Sequence, residues 1–143
     1  MAYLKEIKVP INGTETILYV TDDAETGKRL QQENKPVLIY IHGENRHQDL
    51  SDFLFAVEDP EDLEPEYVER VLRRLQGLPW NILETARCLI RETIPEDVED
   101  FYVLYSHPDI TRYMENLYPE IEEEKAYVRE YIRRVYTFFG FGI

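Results

Sequence analysis

One cysteine, no long apolar run and a shortage of bases limit what this chain of 143 residues can be. Cys88 has no second cysteine to pair with, so no internal disulfide can brace the fold. It sits in Cys88-Leu89-Ile90, where a buried structural thiol is expected rather than a nucleophile. No stretch approaches the roughly 20 apolar residues of a membrane-spanning helix. The opening MAYLKEIKVP lacks the apolar core of a signal peptide, so a cytoplasmic protein is expected. There is no internal repeat and no low-complexity segment. Lysine and arginine number 16 against 29 acids, a formal net charge of −13. That deficit argues against direct binding to nucleic acid or to anionic membranes. It leaves a protein partner, one with a basic surface or a basic nucleic-acid channel included.

What is present is a folded chain's composition. Hydrophobic residues make up 43% and aromatics 13%, with 11 tyrosines, too much for an acidic disordered tail. The acids fall on both halves, and three stretches are dense. One holds Glu58, Asp59, Glu61, Asp62, Glu64, Glu66 and Glu69 without a base; the others run from Glu92 to Asp100 and from Glu115 to Glu124. Glu58, Asp59, Glu61, Asp62, Glu64 and Glu66, with Glu122, Glu123 and Glu124, form a candidate acidic interaction surface.

The pattern predicts an α/β chain in two parts, 1–80 and 81–143. Residues 3–9 and 16–20 read as a β-hairpin turning at Asn12-Gly13, a pair that tolerates positive φ. Thr21-Asp22-Asp23 can cap a helix over about 24–33. The unbroken apolar run Val37 to Ile41 predicts a strand covered on both faces, making a small βαβ unit. Phe53 to Val57 is a third strand candidate. Leu63 to Gln76 is a predicted helix with Val68, Val71, Leu72 and Leu75 on one face, closed by Gly77. Glu66–Arg70 and Glu69–Arg73 have the spacing of ion pairs on its outer face. In the second part, Arg87 to Glu92 reads as a strand. A helix starts at Pro95-Glu96-Asp97 and stops before Pro108. A longer helix covers about Glu120 to Tyr136, and Phe138 to Ile143 is expected to be a terminal strand.

From residue 87 onward the chain resembles the opening of a GNAT-fold N-acetyltransferase, of the branch that acetylates ribosomal-protein N-termini and similar acceptors. The likeness rests on Leu89-Ile90-Arg91-Glu92 leading through Pro95-Glu96-Asp97 into a helix, then Asp109-Ile110-Thr111-Arg112-Tyr113-Met114, then a helix rich in Glu and Tyr. The segment from Leu78 to Thr85 also resembles the N-terminal extension of some clostridial-type members. The resemblance implies a strand–helix–helix–strand unit at 81–143 after a small N-terminal βαβ-like layer. It further implies that Arg112, Tyr113, Met114 and Tyr118 line an acceptor or partner groove, although packing between the helices is the simpler account of Tyr113 and Met114. The family's acetyl-CoA loop, Arg/Gln-x-x-Gly-x-Gly/Ala opening a helix, would hold a pyrophosphate on backbone N–H groups. Its nearest counterpart here is Thr137-Phe138-Phe139-Gly140-Phe141-Gly142, with Thr at the Arg/Gln position. A bare Gly-x-Gly is a weak signal, and glycines in an aromatic strand account for it. No catalytic or cofactor residue is therefore assigned; acetyl-CoA would be the cofactor only if a C-terminal half completed the fold.

Other constellations have simpler explanations. His42, Glu44, His47 and Asp49 are metal-ligand types, but their spacing fits a polar loop, and no metal site is assigned. Asp22 and Asp23 follow a strand, as in phosphatase and receiver-like folds where strand-end acids hold Mg²⁺; an N-cap pair is the preferred account. His107 before Pro108 fits a helix terminus. Ser51 and Ser106 lack a nucleophile-elbow context. The leading expectation is a non-catalytic interaction protein, or a fragment, derived from the acetyltransferase family. One alternative is a small acidic inhibitor that occupies the basic groove of a nucleic-acid enzyme, as anti-CRISPR proteins do. Another is one part of a complete acetyltransferase acting on a protein or small-molecule amine. An apolar terminal strand at Phe138 to Ile143 would be expected to pair with a second copy or a partner.

Overall fold

The computed structural model describes residues 2–61, 63–140 and 142. The chain is mixed α/β and divides into two compact units, Met1–Trp80 and Asn81–Ile143.

The first unit grows from its hairpin. Strands β1 (Leu4–Ile11) and β2 (Thr14–Thr21) pair antiparallel, with Asn12 and Gly13 alone in the turn at φ 51° and 81°. Two positive φ values are what a two-residue turn matching strand twist requires. Pro10 lies within β1, which the order β1-β2-β3-β4 places at the sheet edge, where a missing N–H is tolerated. Helix α1 (Ala24–Gln32) carries the chain to β3 (Val37–Tyr40), parallel to β2, so the expected βαβ unit is present. The strand expected at 53–57 shortens to β4 (Ala56–Val57), parallel to β3. Phe53 has another use: a Cβ added at Gly27 of α1 would lie 2.5 Å from its ring, so the aromatic packs where the helix has no side chain.

Helix α2 (Pro65–Leu75) buries Val68, Val71 and Leu72 against Ile11, Leu18, Val20 and Leu38. Strand side chains alternate, so Val37 and Ile39 face the other way, the side of α1, where a Cβ added at Gly27 would meet Ile39 at 3.6 Å. That two-sided cover explains the unbroken apolar run of β3. Gly77, at φ 67°, ends α2: its N–H bonds to the Arg74 carbonyl and that of Leu78 to Arg73, while Leu78 packs back on the core. Arg70 does not reach Glu66 but lies over the Trp80 ring at 4.3 Å. Arg73 does pair with Glu69, at 2.9 Å.

The second unit opens with an antiparallel pair, β5 (Asn81–Glu84) and β6 (Leu89–Arg91). A 3₁₀ turn (Pro95–Asp97) leads into α3 (Val98–Tyr105). The short α4 (Pro108–Thr111) precedes α5 (Ile121–Tyr131), which continues through a π-helical turn (Ile132–Tyr136) into α6 (Thr137–Phe139).

Three expectations need correction. The expected terminal strand does not start at Phe138: Thr137–Phe139 is helical and Gly140 closes the helix at φ 76°. Phe141 and Ile143 lie outside the described residues. Gly142 has its own reason to be glycine, since a Cβ there would sit 2.3 Å from the Tyr136 ring. Cys88 is exposed, because it stands in the tight β5–β6 turn, where Thr85 accepts the Cys88 N–H and donates its own N–H to the Cys88 carbonyl. Glu124 is buried and cannot belong to a solvent-facing acidic surface. No helix among the described residues is long and apolar enough to cross a membrane.

Candidate functional site

The carboxyl ends of β2 and β3 carry the polar residues singled out in the first unit. Asp22 follows β2 and accepts the Tyr3 N–H at 2.7 Å; its other oxygen meets His42 Nε2 at 3.1 Å. His42 Nδ1 accepts the Glu44 N–H, which leaves Nε2 as the donor to Asp22. Asn45, buried, donates to the carbonyls of Asp22 and Tyr40 and accepts the His42 N–H. Gln48 accepts the Ala24 N–H at 2.7 Å, and Asp23 accepts that of Thr26 at 2.8 Å, so two side chains satisfy the start of α1. The Thr26 hydroxyl and N–H hold the Asp23 carboxyl below its ordinary value. Asp22 and Asp23 are thus engaged in structure, and the loop from His42 is a clasp across the strand ends. Among the described residues no three His, Cys, Asp or Glu side chains gather as a metal ion would need. Asn45 and Gln48, which do most of this fastening, carry no sequence signal beyond their place in a polar loop.

The second unit holds an aromatic concavity. A cleft of about 450 Å³ is lined by Thr93, Phe101, Leu104, Tyr105, Leu117, Glu124, Tyr127, Val128 and Tyr131. Its wall comes from α3, α5, the segment between them and Thr93 just after β6. Arg91 binds Asp97 with both carboxylate oxygens, at 2.8 and 2.6 Å, and Asp97 also accepts the Ile94 N–H. Arg91, then the Ile94 N–H, holds the Asp97 carboxyl below its ordinary value despite partial burial. This clamp fixes the start of α3 to β6. The Tyr136 hydroxyl accepts the Thr93 N–H at 3.1 Å; the π-helical turn brings that ring inward, where it is buried. Tyr102 donates to the Tyr118 carbonyl, and Glu124 accepts the Tyr118 N–H at 2.9 Å, so both sides of the cleft hold the intervening segment.

The groove residues expected from the acetyltransferase resemblance lie on that segment. Arg112 closes α4 with its guanidinium 5.2 Å from the Tyr113 ring centre. Tyr113 is 79% exposed, and Met114 and Tyr118 are about half exposed. Tyr118 packs against Tyr127 with centroids 5.9 Å apart; Tyr113 and Met114 do not fill a core. His107 caps α4 through Nδ1, which accepts the Asp109 N–H.

The acidic candidates are dispersed. Glu58 pairs with Arg46 at 3.1 Å, Glu61 with Lys5 at 3.3 Å and Glu122 with Lys125 at 3.9 Å. Asp59 accepts the Glu61 N–H, Glu64 is the residue before α2 and Glu66 lies in its first turn, where the helix dipole favours acids. Glu123 is exposed in the first turn of α5, and Asp62 lies outside the described residues. No protein-family model, curated protein or solved structure matches the chain.

Proposed function

We propose that this chain is an interaction protein whose second unit contacts a protein partner through an apolar, aromatic surface. In this proposal the unit is the acceptor-side front of an acetyltransferase-type fold used for binding rather than acetyl transfer. One observation carries the reading: the distribution of exposed apolar side chains. In Asn81–Ile143, Ile82, Leu83, Leu89, Ile90, Val103, Leu104, Tyr113, Met114, Phe138 and Phe139 are all about half exposed or more, whereas its buried apolar residues are Val98, Val128 and Tyr136. Exposed apolar side chains that outnumber the buried ones in a folded unit are surface that a partner would cover. The acidic surface is the weaker contact, because several of its members are offset by neighbouring bases.

The first prediction separates binding from transfer. Calorimetric titration of the full chain with acetyl-CoA gives no saturable heat; micromolar binding would overturn the non-catalytic reading and favour an acetyltransferase. Affinity purification from the source cells tests the surface itself. A protein should co-purify with the wild-type chain and be lost from a Tyr113→Ser/Met114→Ser variant that keeps its circular dichroism. Retention by the variant would remove the proposed groove.

A further inference from the structure

We propose that the cleft of the second unit binds an alkylated ammonium cation, with Glu124 as its counter-charge. This goes beyond the protein-partner reading, because it concerns a small cationic group with a defined seat. Glu124 is 5% exposed and lines the cleft. One of its oxygens accepts the Tyr118 N–H; the other accepts no hydrogen bond from the described residues. No described basic side chain forms an ion pair with it: Lys125, its sequence neighbour, turns to Glu99 and Glu122 instead. A buried carboxylate is costly unless it is paired. The cleft therefore presents a carboxyl group that no described base balances.

The rest of the wall says which cation. Phe101, Tyr105, Tyr127 and Tyr131 line the same space, and aromatic faces attract cations through their quadrupole. Leu104, Leu117 and Val128 complete it, and apolar walls suit methyl groups better than N–H groups. A primary ammonium must place three donors and give up strong hydration, for which one free carboxylate oxygen is poor compensation. An alkylated ammonium spreads its charge over methyl groups that rings and leucines can cover. A quaternary nitrogen has neither N–H nor lone pair, so the site recognises its ligand and transfers nothing to it.

Choline and ethanolamine differ by three N-methyl groups and make a matched pair of probes. Each is titrated into the full chain at constant ionic strength, following the tyrosine ring resonances by NMR. Choline should saturate with a dissociation constant on the order of millimolar, and ethanolamine should bind at least about tenfold more weakly. Glu124→Gln keeps an acceptor for the Tyr118 N–H but removes the charge, and should weaken choline about tenfold. Tyr127→Leu, at a half-exposed position, should weaken it about fivefold and serves if the glutamine variant does not fold. Choline shifts that do not saturate, ethanolamine binding as tightly, or a folded variant of either kind with unchanged affinity would each overturn the proposal. Because no macromolecular partner is present, failure here leaves the protein-interaction reading to its own tests.

Discussion

Two residues of the first unit show how differently polar groups are treated in one small structure. Asn45 uses its side-chain amide completely, joining the ends of β2 and β3 to the loop that follows. Asn45→Ala strands two carbonyls and an N–H of half-buried residues and should cost about 1–3 kcal/mol in urea unfolding; a loss under about 0.5 kcal/mol would show that the clasp is dispensable. The Tyr3 hydroxyl is the opposite case. It is buried with no hydrogen-bond partner among the described residues, and burial raises its pKa. Its ring still packs edge-on against Tyr40. Tyr3→Phe keeps the ring and removes the unpaired group, so it should leave stability unchanged or raise it by about 1 kcal/mol. A clear loss in the same urea measurement would mean that the hydroxyl has a partner in solution.

At the scale of elements, the Arg91–Asp97 clamp decides where α3 begins. Asp97→Asn loses the bidentate charge pair and should cost about 1–3 kcal/mol. The same pair sets an acid dependence. The folded Asp97 carboxyl lies below its ordinary 3.8, so its contribution is complete above that value and is lost as pH falls through the lower, folded pKa. Melting temperatures of wild type and Asp97→Asn should converge as pH drops below about 4; a constant gap would place the stabilisation elsewhere. The legibility of the elements follows the same physics. The hairpin, α1, β3 and α2 were readable because each has a local cause: Asn-Gly, an Asp cap, an unbroken apolar run, a helical stripe closed by Gly77. Strand β5 was not, since Asn81-Ile82-Leu83-Glu84 is short and pairs only with the equally short β6. The terminal aromatics misled for a related reason: Phe-rich spelling favours a strand, but continuation of α5 through a π turn and closure at Gly140 keeps Thr137–Phe139 helical. Glu124 also escaped a reading by composition, because a carboxylate in an acidic run gives no sign that it points inward.

For the whole molecule, the two units differ in how well their apolar residues are covered. Met1–Trp80 has a continuous core of strand and α2 side chains; Asn81–Ile143 buries few apolar residues. Local opening follows buried apolar contact. Native-state amide exchange should therefore be at least about tenfold faster in α3 than in β2 and β3, and equal protection would show that the second unit is better stabilised than its exposed surface implies.

The perch of Trp80 beneath Arg70 has an optical consequence. The chain has one tryptophan, at the end of the first unit, while seven of its 11 tyrosines lie in the second. Indole emission excited at the red edge of the absorption band therefore reports on Met1–Trp80. Tyrosine near-ultraviolet dichroism is weighted toward Asn81–Ile143. The two can be followed separately in one cuvette, without labels and without cutting the chain.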